Sequence, residues 1–323
     1  MAQVIDTEVR HRQIALRSTF KTALRSVDNL KVIEFVINGK FVGEAVATPA
    51  ITGDQFEEIV GDLKSVDLIG REISNAQEFS AELQQKKICN SAKAAIDMAI
   101  YSFLGSFGEK IRIQSDVTIP LSSFEDYPRL IAERIDFKAF KIKLDKNTLG
   151  DSISKISVVR EVRPDVKIRI DPNQSWNVKE SIQFVQKIEE LRIPIDYLEQ
   201  PTPRLDFDAL RHIRQASSIP VMADESCFSE RDLRKLIDLA AIDLVNLKIL
   251  KNGGISEVCR LARIAEESGV RVSIGSMMEG DRGVHAAAFV ASRIAPDYVH
   301  DLDAAWWCLN SSISYQNGFM VTQ

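Results

Sequence analysis

Short apolar runs rich in β-branched residues alternate with amphipathic segments along most of the chain. The amphipathic segments repeat their apolar positions with the 3.6-residue period of a helix, whereas the short runs are typical of buried strands. The runs predict eight strands, near residues 112–119, 139–143, 167–171, 196–199, 220–223, 243–247, 271–275 and 297–300. The segments between them predict helices, at about residues 123–135, 150–162, 178–190, 206–216, 228–239, 255–268 and 281–294. Because strands and helices alternate in this way, we predict an α/β fold, a parallel barrel over residues 91–305.

The N-terminal part of the chain has a different pattern. Two β-rich runs and two helical patterns follow one another, at residues 31–37, 40–47, 54–66 and 73–89. The two β-rich runs meet at Asn38-Gly39, a strong signal for a β-hairpin. We predict a small α+β unit over residues 1–90, in which residues 16–29 and 47–54 form mobile loops.

A short segment, residues 306–323, follows the predicted barrel. It contains a second β-like pair around Asn317-Gly318, and we expect the segment to return to the N-terminal unit. Trp306 and Trp307 stand at its start, and we interpret both side chains as packing between the barrel and that unit.

Five charged residues stand at or just after the ends of successive predicted strands: Lys143, Asp171, Glu199, Asp224 and Lys248. In a (β/α) barrel the carboxyl ends of the strands converge on one face, where active sites are built. The three carboxylates are hard oxygen ligands of the kind that Mg²⁺ prefers. An ammonium group flanks them from the strand on either side. The pattern therefore predicts a metal site between two lysines.

Two lysines beside a divalent cation are suited to moving a proton on the carbon next to a carboxylate. A cation on the carboxylate oxygens stabilises the enediolate that forms when the α-proton leaves. A cation near a lysine also disfavours its protonated form, so Lys141, two residues from Lys143 on the same strand face, should make Lys143 a better base. If Lys143 and Lys248 approach the carbon from opposite sides, the result is inversion.

Composition narrows the possible functions. The chain has 323 residues, 45% of them hydrophobic, and a net charge of −5 that favours neither nucleic acid nor a membrane surface as a partner. Its four cysteines show no CxxC spacing, so neither a zinc site nor a disulfide framework is predicted. Apolar runs are too short for a membrane span, and the N-terminus has no signal-peptide core. We therefore predict a cytoplasmic protein with a small-molecule partner, and a homo-oligomer is compatible with the sequence.

Short segments around the five charged residues resemble motifs of the enolase superfamily, in its muconate-lactonizing-enzyme subgroup. They are Lys141-Ile142-Lys143, Asp171-Pro172-Asn173, Glu199-Gln200-Pro201, Ala223-Asp224-Glu225-Ser226 and Asn246-Leu247-Lys248. The resemblance covers nearly the whole chain and implies a modified TIM barrel, (β/α)7β, with the N-terminal α+β unit as a capping domain. It also implies that Asp171, Glu199 and Asp224 hold Mg²⁺, and that Lys143 and Lys248 are the catalytic acid and base.

Within that subgroup the chain resembles the dipeptide epimerases of the L-Ala-D/L-Glu type. Its Asp301-Leu302-Asp303 segment carries two carboxylates that face the same way on an extended chain, which suits the ammonium group of a dipeptide. By the same resemblance Arg25 binds an acidic side chain on the second residue, and Lys141 orients the reacting carboxylate. Further substrate contacts and supporting residues are implied at Thr118, Ser276, Met278, Asn173 and Glu225.

The resemblance thus implies a Mg²⁺-dependent isomerase that epimerises the second residue of a dipeptide. The reaction would convert L-Ala-L-Glu to L-Ala-D-Glu by two-lysine proton transfer through an enediolate, in the recycling of cell-wall peptide. Strict specificity for glutamate stays open, because Gly280 stands near the expected side-chain pocket where the family usually has serine. A dipeptide epimerase of different or broad specificity is therefore an alternative.

Three other functions compete with this interpretation. A cycloisomerase or an o-succinylbenzoate synthase would share fold and metal, but their substrates carry no ammonium group for the Asp301 and Asp303 carboxylates. A Schiff-base lyase would use one barrel lysine and no metal. A non-catalytic metal-binding barrel would have no need of lysines on both sides of the carboxylates.

Overall fold

The structure, a computed structural model, describes residues 2–107, 109–146 and 148–323. Its N-terminal part combines a small antiparallel sheet with helices. In chain order the elements are β1 (Ala2–Gln3), β2 (Thr7–Lys21), β3 (Ser26–Ile37), β4 (Phe41–Val46), α1 (Phe56–Ser65), β5 (Glu72–Ile73), α2 (Ala76–Gln84) and α3 (Asn90–Phe103).

Strands β2, β3 and β4 form a three-stranded antiparallel sheet in that order. The predicted hairpin is confirmed as β3 and β4. They turn at Asn38-Gly39, where φ is 51° and 65°, the positive values that a two-residue hairpin turn requires. Strand β2 was not predicted, because most of its side chains are exposed or half-buried and its sequence therefore lacks a regular apolar alternation.

The prediction of a mobile loop over residues 16–29 was wrong. Strands β2 and β3 continue as a paired ribbon as far as the cross-strand pairs Phe20–Val27 and Lys21–Ser26. Only residues 22–25 form the connecting turn. Backbone hydrogen bonds between the two strands, rather than an apolar face, hold this ribbon extended.

Helix α3 lies almost wholly within residues 91–305, the range predicted for the barrel, but it packs closely on β4 at Gly43 and is therefore described with the N-terminal part. A Cβ atom at this position would lie 1.9 Å from the carbonyl oxygen of Ala95. Because glycine has no Cβ atom, it alone permits this approach of strand to helix. The sheet and α3 are therefore in direct backbone contact.

The rest of the chain forms the barrel and a short C-terminal segment. Its strands are β6 (Arg112–Gln114), β7 (Val117–Ile119), β8 (Ala139–Lys143), β9 (Lys167–Asp171), β10 (Tyr197–Glu199), β11 (Val221–Ala223), β12 (Leu244–Lys248), β13 (Arg271–Gly275), β14 (Ser314–Gln316) and β15 (Phe319–Val321). Its helices are α4 (Tyr127–Ala132), α5 (Leu149–Val162), α6 (Val178–Glu190), α7 (Phe207–Ala216), α8 (Glu230–Asp238), α9 (Ile249–Asn252), α10 (Ile255–Glu267), α11 (Asp281–Ile294) and α12 (Ala304–Trp307). None of the helices in the described ranges has both the length and the apolar character needed to cross a membrane.

Strands β7 to β13 form one parallel sheet in sequential order, as expected for a (β/α)7β barrel. The predicted first strand, residues 112–119, is divided, because β6 pairs with β15 and only β7 joins the parallel sheet. The predicted eighth strand, residues 297–300, is reduced to two isolated bridges, between Ser115 and His300 and between Gly275 and Asp301. These bridges connect the two ends of the sheet and close the barrel.

Two buried carboxylates of the N-terminal part cap helices of the barrel. Asp97 on α3 accepts a hydrogen bond from the backbone N–H of Ser256 (3.1 Å) at the start of α10. Glu44 on β4 accepts one from the N–H of Gly283 (2.9 Å) at the start of α11. Negative charge at a helix N-terminus is stabilising, and neither helix has a side-chain cap of its own. The two parts of the chain thus share polar contacts as well as one continuous hydrophobic core.

The C-terminal segment contacts the ribbon first and the barrel afterwards. The N–H of Leu309 donates to the carbonyl of Ala15 (2.9 Å), and Trp307 meets Phe20 edge to face with ring centres 5.0 Å apart. The chain then forms the predicted hairpin at Asn317-Gly318, whose strand β15 pairs with β6. The interpretation of Trp307 as packing between the two parts is confirmed.

Candidate active site

The five charged residues singled out in the sequence stand at the carboxyl ends of five neighbouring strands. Lys143, Asp171, Glu199 and Lys248 are the last residues of β8, β9, β10 and β12, and Asp224 directly follows β11. All five are buried. Parallel pairing of β8 to β12 brings these strand ends to one face of the barrel.

Each of the three carboxylates is in contact with a lysine. Lys143 Nζ donates to Asp171 Oδ2, and Lys141 Nζ lies 2.8 Å from Glu199 Oε2 and 2.8 Å from Asp301 Oδ2. On the other side Lys248 Nζ donates to Asp224 Oδ2 (2.7 Å). The lysines of β8 and β12 therefore approach the carboxylates from opposite sides.

Burial and neighbouring charges shift the pKa values of this cluster. Burial raises the pKa of Glu199 to about 7, although the charge of Lys141 opposes the shift. The pKa of Glu225 is raised to about 8, by burial and by the charge of Asp224. Burial, the largest single effect, would lower the pKa of Lys248, but the combined attraction of Asp224, Asp301 and Glu199 outweighs it and raises the value. Buried carboxyl groups thus outnumber the lysines that contact them, and their mutual repulsion contributes to the raised pKa values of Glu199 and Glu225.

This surplus of carboxyl groups fits a divalent cation. Asp171, Glu199 and Asp224 supply only oxygen donors, the ligands that Mg²⁺ prefers. Asn173 Nδ2 lies between Asp171 Oδ2 and Glu225 Oε1, 3.3 Å from each. Glu225 Oε2 is buried and has no hydrogen-bond partner among the residues that the structure describes. Within the described ranges no three side chains are already arranged as metal ligands, because the carboxylates face the lysines instead.

A narrow cavity adjoins these residues. Its lining contains eleven of the side chains predicted from the sequence: Arg25, Thr118, Lys141, Lys143, Asn173, Asp224, Lys248, Ser276, Met278, Asp301 and Asp303. Asp171, Glu199 and Glu225 lie behind this lining, in contact with Lys143, Lys141 and Asn173. Only ≈ 40 Å³ of the cavity is accessible to the centre of a water molecule, room for a few waters at most. A dipeptide therefore enters only if the lysine–carboxylate pairs and the covering ribbon separate.

The two aspartates after β13 face the cavity from the side opposite Glu199 and Asp224. Asp301 Oδ2 accepts hydrogen bonds from Lys141 (2.8 Å) and from Asn246 Nδ2 (3.0 Å). Asp303 Oδ2 accepts from the backbone N–H of Thr118 (2.7 Å) and from the indole N–H of Trp307 (3.0 Å). Both carboxylates are thus fixed in orientation at the edge of the cavity.

Arg25 reaches the cavity from the turn that joins β2 and β3. The hydroxyl oxygen of Thr22 accepts hydrogen bonds from the N–H groups of Leu24 (3.2 Å) and Arg25 (3.3 Å), which stabilises the turn. Among the described residues no carboxylate forms an ion pair with Arg25, and its Nε is buried without a partner. Burial lowers the pKa of Arg25 to about 10. The guanidinium is therefore a cation with unused donors at the wall of the cavity.

One buried lysine of the site, Lys251, was not predicted from the sequence. Lys251, fully buried one turn after Lys248, donates to Asp224 Oδ1 (2.8 Å), to the carbonyl of Asp224 (2.6 Å) and to that of Asn246 (2.8 Å). All three of its donors are used. The Lys-x-x-Lys spacing at the end of β12 could have indicated its position, because residues about one helical turn apart place their side chains on the same side.

His300 precedes Asp301 but does not line the cavity. Its Nδ1 accepts a hydrogen bond from the N–H of Ile274 (3.0 Å), and its Nε2 lies 2.9 Å from the carbonyl of Ala295. Burial lowers the pKa of His300 to about 4. The residue is therefore a neutral, structural histidine.

Comparison with known proteins agrees with this arrangement. A sequence family described as enolase C-terminal domain-like matches residues 126–322. The L-Ala-D/L-Glu epimerase of Clostridium acetobutylicum is 32% identical, over 95% of this chain and 92% of its own length. The match to a family and to a full-length relative thus covers both parts of the chain.

Solved structures give the same result. The L-Ala-D/L-Glu epimerase from Bacillus subtilis, solved as a substrate-liganded complex, superposes with a TM-score of 0.90 at 29% identity, covering 100% of this chain and 97% of the other. The dipeptide epimerase from Enterococcus faecalis, solved with Mg and L-Leu-L-Tyr, superposes with a TM-score of 0.88 at 25% identity and covers 100% and 98%. The chain therefore belongs to the enolase superfamily, with dipeptide epimerases among its relatives, and it is an isomerase.

Proposed function

We propose that this chain interconverts L-Ala-L-Glu and L-Ala-D-Glu, with Mg²⁺ as its cofactor and Lys143 and Lys248 as its acid and base. The observation that carries the chemistry is the approach of these two lysines to one cavity from β8 and β12. Both side chains line that cavity. A carbon held between them can lose a proton to one Nζ and regain a proton from the other, which inverts its configuration.

Both lysines must leave their carboxylates before they can act as bases. In the contracted cavity Lys143 is bound to Asp171 and Lys248 to Asp224, and an ammonium held by a carboxylate is a poor proton acceptor. Asp171, Glu199 and Asp224 would hold the Mg²⁺ ion, and Asn173, itself bound to Glu225, would orient Asp171. The ion supplies stabilisation of negative charge on the carboxylate oxygens of the substrate. Lys141, between Glu199 and Asp301, orients that carboxylate.

The remaining polar groups match the two ends of the proposed substrate. Asp301 and Asp303 bind the N-terminal ammonium by charge-assisted hydrogen bonds, and Thr118 holds Asp303 in place. Arg25, which forms no ion pair within the described part of the chain, binds the side-chain carboxylate of glutamate, to which a guanidinium offers paired donors. Ser276 and Met278 line the wall between them.

A second candidate is an epimerase of dipeptides with an apolar second residue. Four apolar side chains also line the cavity: Phe20, Ile51, Met277 and Met278. The Enterococcus faecalis relative was solved with L-Leu-L-Tyr. We favour the acidic substrate because an apolar side chain would leave the buried Nε of Arg25 without a hydrogen-bond partner, which is costly.

The direct test is proton NMR of the protein with Mg²⁺ and L-Ala-L-Glu in D₂O. We expect the α-proton signal of glutamate to disappear while that of alanine remains, and the second diastereomer to accumulate. EDTA should stop both changes, and added Mg²⁺ should restore them. Exchange of L-Ala-L-Leu or L-Ala-L-Tyr but not of L-Ala-L-Glu would favour the second candidate. No exchange with any dipeptide would reject both. The cytoplasmic location and the role in cell-wall peptide recycling stay predictions.

A further inference from the structure

Trp307 contacts both the carboxylate proposed for the ammonium group and the ribbon that carries Arg25. It is fully buried at the end of α12, and nothing in the proposed reaction requires a tryptophan there. Its indole N–H donates to Asp303 Oδ2 (3.0 Å), and its ring meets Phe20 edge to face, with centres 5.0 Å apart at an angle of 82°. One rigid side chain thus spans two recognition elements.

The contacts on the barrel side fix Trp307 firmly. The guanidinium of Arg134, itself buried, stacks 5.1 Å from the centre of the Trp307 ring and donates to the carbonyl of Thr118 (2.9 Å). The N–H of Thr118 in turn donates to Asp303 (2.7 Å). Asp303, Thr118, Arg134 and Trp307 therefore form a closed ring of contacts, so a displacement of Asp303 is transmitted to the indole.

On the ribbon side, Phe20 is close to the turn that positions Arg25. The next residue, Lys21, pairs with Ser26, the neighbour of Arg25, and the carbonyl of Lys21 accepts the N–H of Leu121 (2.9 Å) from the barrel. Phe20 is buried and lines the cavity itself. A shift of the Phe20 ring therefore moves the turn and with it the guanidinium.

We propose that Trp307 is a positioning residue that couples recognition of the substrate ammonium at Asp303 to recognition of the acidic side chain at Arg25. This inference rests on the proposed function. In physical terms, an ammonium that binds Asp303 orients the indole, the indole supports Phe20, and Phe20 holds the turn with Arg25 closed over the second residue. Coupling of two sites is reciprocal, because each ligand group changes the affinity for the other by the same factor.

The test measures two ratios of kcat/KM in Trp307→Phe and Phe20→Leu. The first ratio, L-Ala-L-Glu over L-Ala-L-Gln, reports on Arg25, because glutamine keeps the shape of glutamate without its charge. The second, L-Ala-L-Glu over N-acetyl-L-Ala-L-Glu, reports on the ammonium. Trp307→Phe removes the N–H to Asp303 and keeps an aromatic ring, whereas Phe20→Leu keeps that hydrogen bond and removes the ring contact.

Trp307→Phe alters nothing at Arg25 itself. We nevertheless expect it to lower the first ratio at least about fivefold, because typical coupling between two sites begins at about this factor. Phe20→Leu, which leaves Asp303 untouched, should lower the second ratio by a similar factor. Trp306→Phe is the matched control. Its indole is adjacent and also stacks on Arg134 (4.6 Å), but its side chain packs on Phe137 rather than Phe20, so both ratios should stay at wild-type values.

The alternatives give different results. If Trp307→Phe lowers kcat/KM for L-Ala-L-Glu and L-Ala-L-Gln by the same factor, Trp307 has only a structural role and the coupling is rejected. If Trp307→Phe does not fold, the second ratio in Phe20→Leu tests the coupling alone, and an unchanged ratio rejects the coupling. If the wild-type protein acts on no dipeptide, the proposed function itself fails, and this outcome is visible before any variant is made.

Discussion

Replacement of Arg25 by methionine removes a cation that the structure leaves without a carboxylate partner. Arg25 lines the cavity, and its buried Nε has no hydrogen-bond partner among the described residues. A hydrogen bond to a charged group contributes about 1.5–3 kcal/mol, and because the Arg25 side chain is partly exposed we expect about 2 kcal/mol, in the lower part of that range. Arg25→Met should therefore lower kcat/KM for L-Ala-L-Glu by roughly 30-fold, at 1.36 kcal/mol per tenfold change.

The assay compares L-Ala-L-Glu with L-Ala-L-Gln in the same enzyme, by polarimetry or NMR of the two diastereomers. The value for L-Ala-L-Gln should change less than about threefold, within the scatter expected when no charged contact is lost. Arg17→Met is the matched control, because Arg17 is exposed on the same ribbon and stacks on Trp306 (5.7 Å) outside the cavity. An equal loss for both substrates in Arg25→Met, or an equal effect of Arg17→Met, would refute the assignment of Arg25 to the acidic side chain.

Further predictions concern the lysines and the stability of the fold. Lys143→Ala and Lys248→Ala should each lower epimerisation by about 10²–10⁴-fold, the usual contribution of a positioned acid or base, while each still exchanges the α-proton of one epimer in D₂O. Loss of all exchange in both variants would contradict separate roles. Gly43→Ala should destabilise the fold by about 3 kcal/mol in urea unfolding, since its Cβ would collide with the Ala95 carbonyl. Gly61→Ala, in helix α1 with open space around it, should instead stabilise by about 0.5–1 kcal/mol. Burial raises the pKa of Asp97 from 3.8 to about 7, so between these values the folded state holds a proton that the unfolded chain has lost. The free energy of unfolding should therefore fall as pH rises through this range, by up to about 1.4 kcal/mol per pH unit. Asp97→Asn should make this fall smaller, whereas the raised pKa values of Glu199 and Glu225 should preserve the rest of it. Urea unfolding of both proteins at pH 5 and pH 8 will measure the difference.

The strand-end residues could be predicted because barrel topology converts positions along the chain into proximity. Lys143 and Lys248 are far apart in sequence, yet parallel pairing of the strands between them brings both to one cavity. This inference requires only that each residue ends a strand. The geometry of the lysine–carboxylate pairs could not be predicted from the sequence, because it depends on side-chain rotamers in a contracted cavity.

Strand β2 and Lys251 show why the remainder could not be predicted. β2 is held by backbone hydrogen bonds to β3, and such bonds do not require a periodic pattern of apolar side chains in the sequence. Lys251 looks like any polar residue of a short helix, and its burial depends on two backbone carbonyls and Asp224. In both cases the stabilising partner belongs to the main chain or to a distant element.

The carboxylate caps between the two parts of the chain have a consequence for protein engineering. A Cβ atom added at Gly254 would lie 2.7 Å from Asp97, and one added at Gly280 would lie 2.8 Å from Glu44. At Gly254 the added atom would also lie 2.9 Å from the Asp97 Cβ and the backbone has φ 131°, so glycine is required. At Gly280 it meets the flexible end of Glu44, which would have to shift. A chimaera that joins the substrate-covering part of one relative to the barrel of another must therefore keep Gly254 together with Asp97. A hybrid whose other parent lacks Asp97 or Glu44 loses the cap of α10 or α11, and one whose other parent lacks Gly254 gains a steric clash at Asp97.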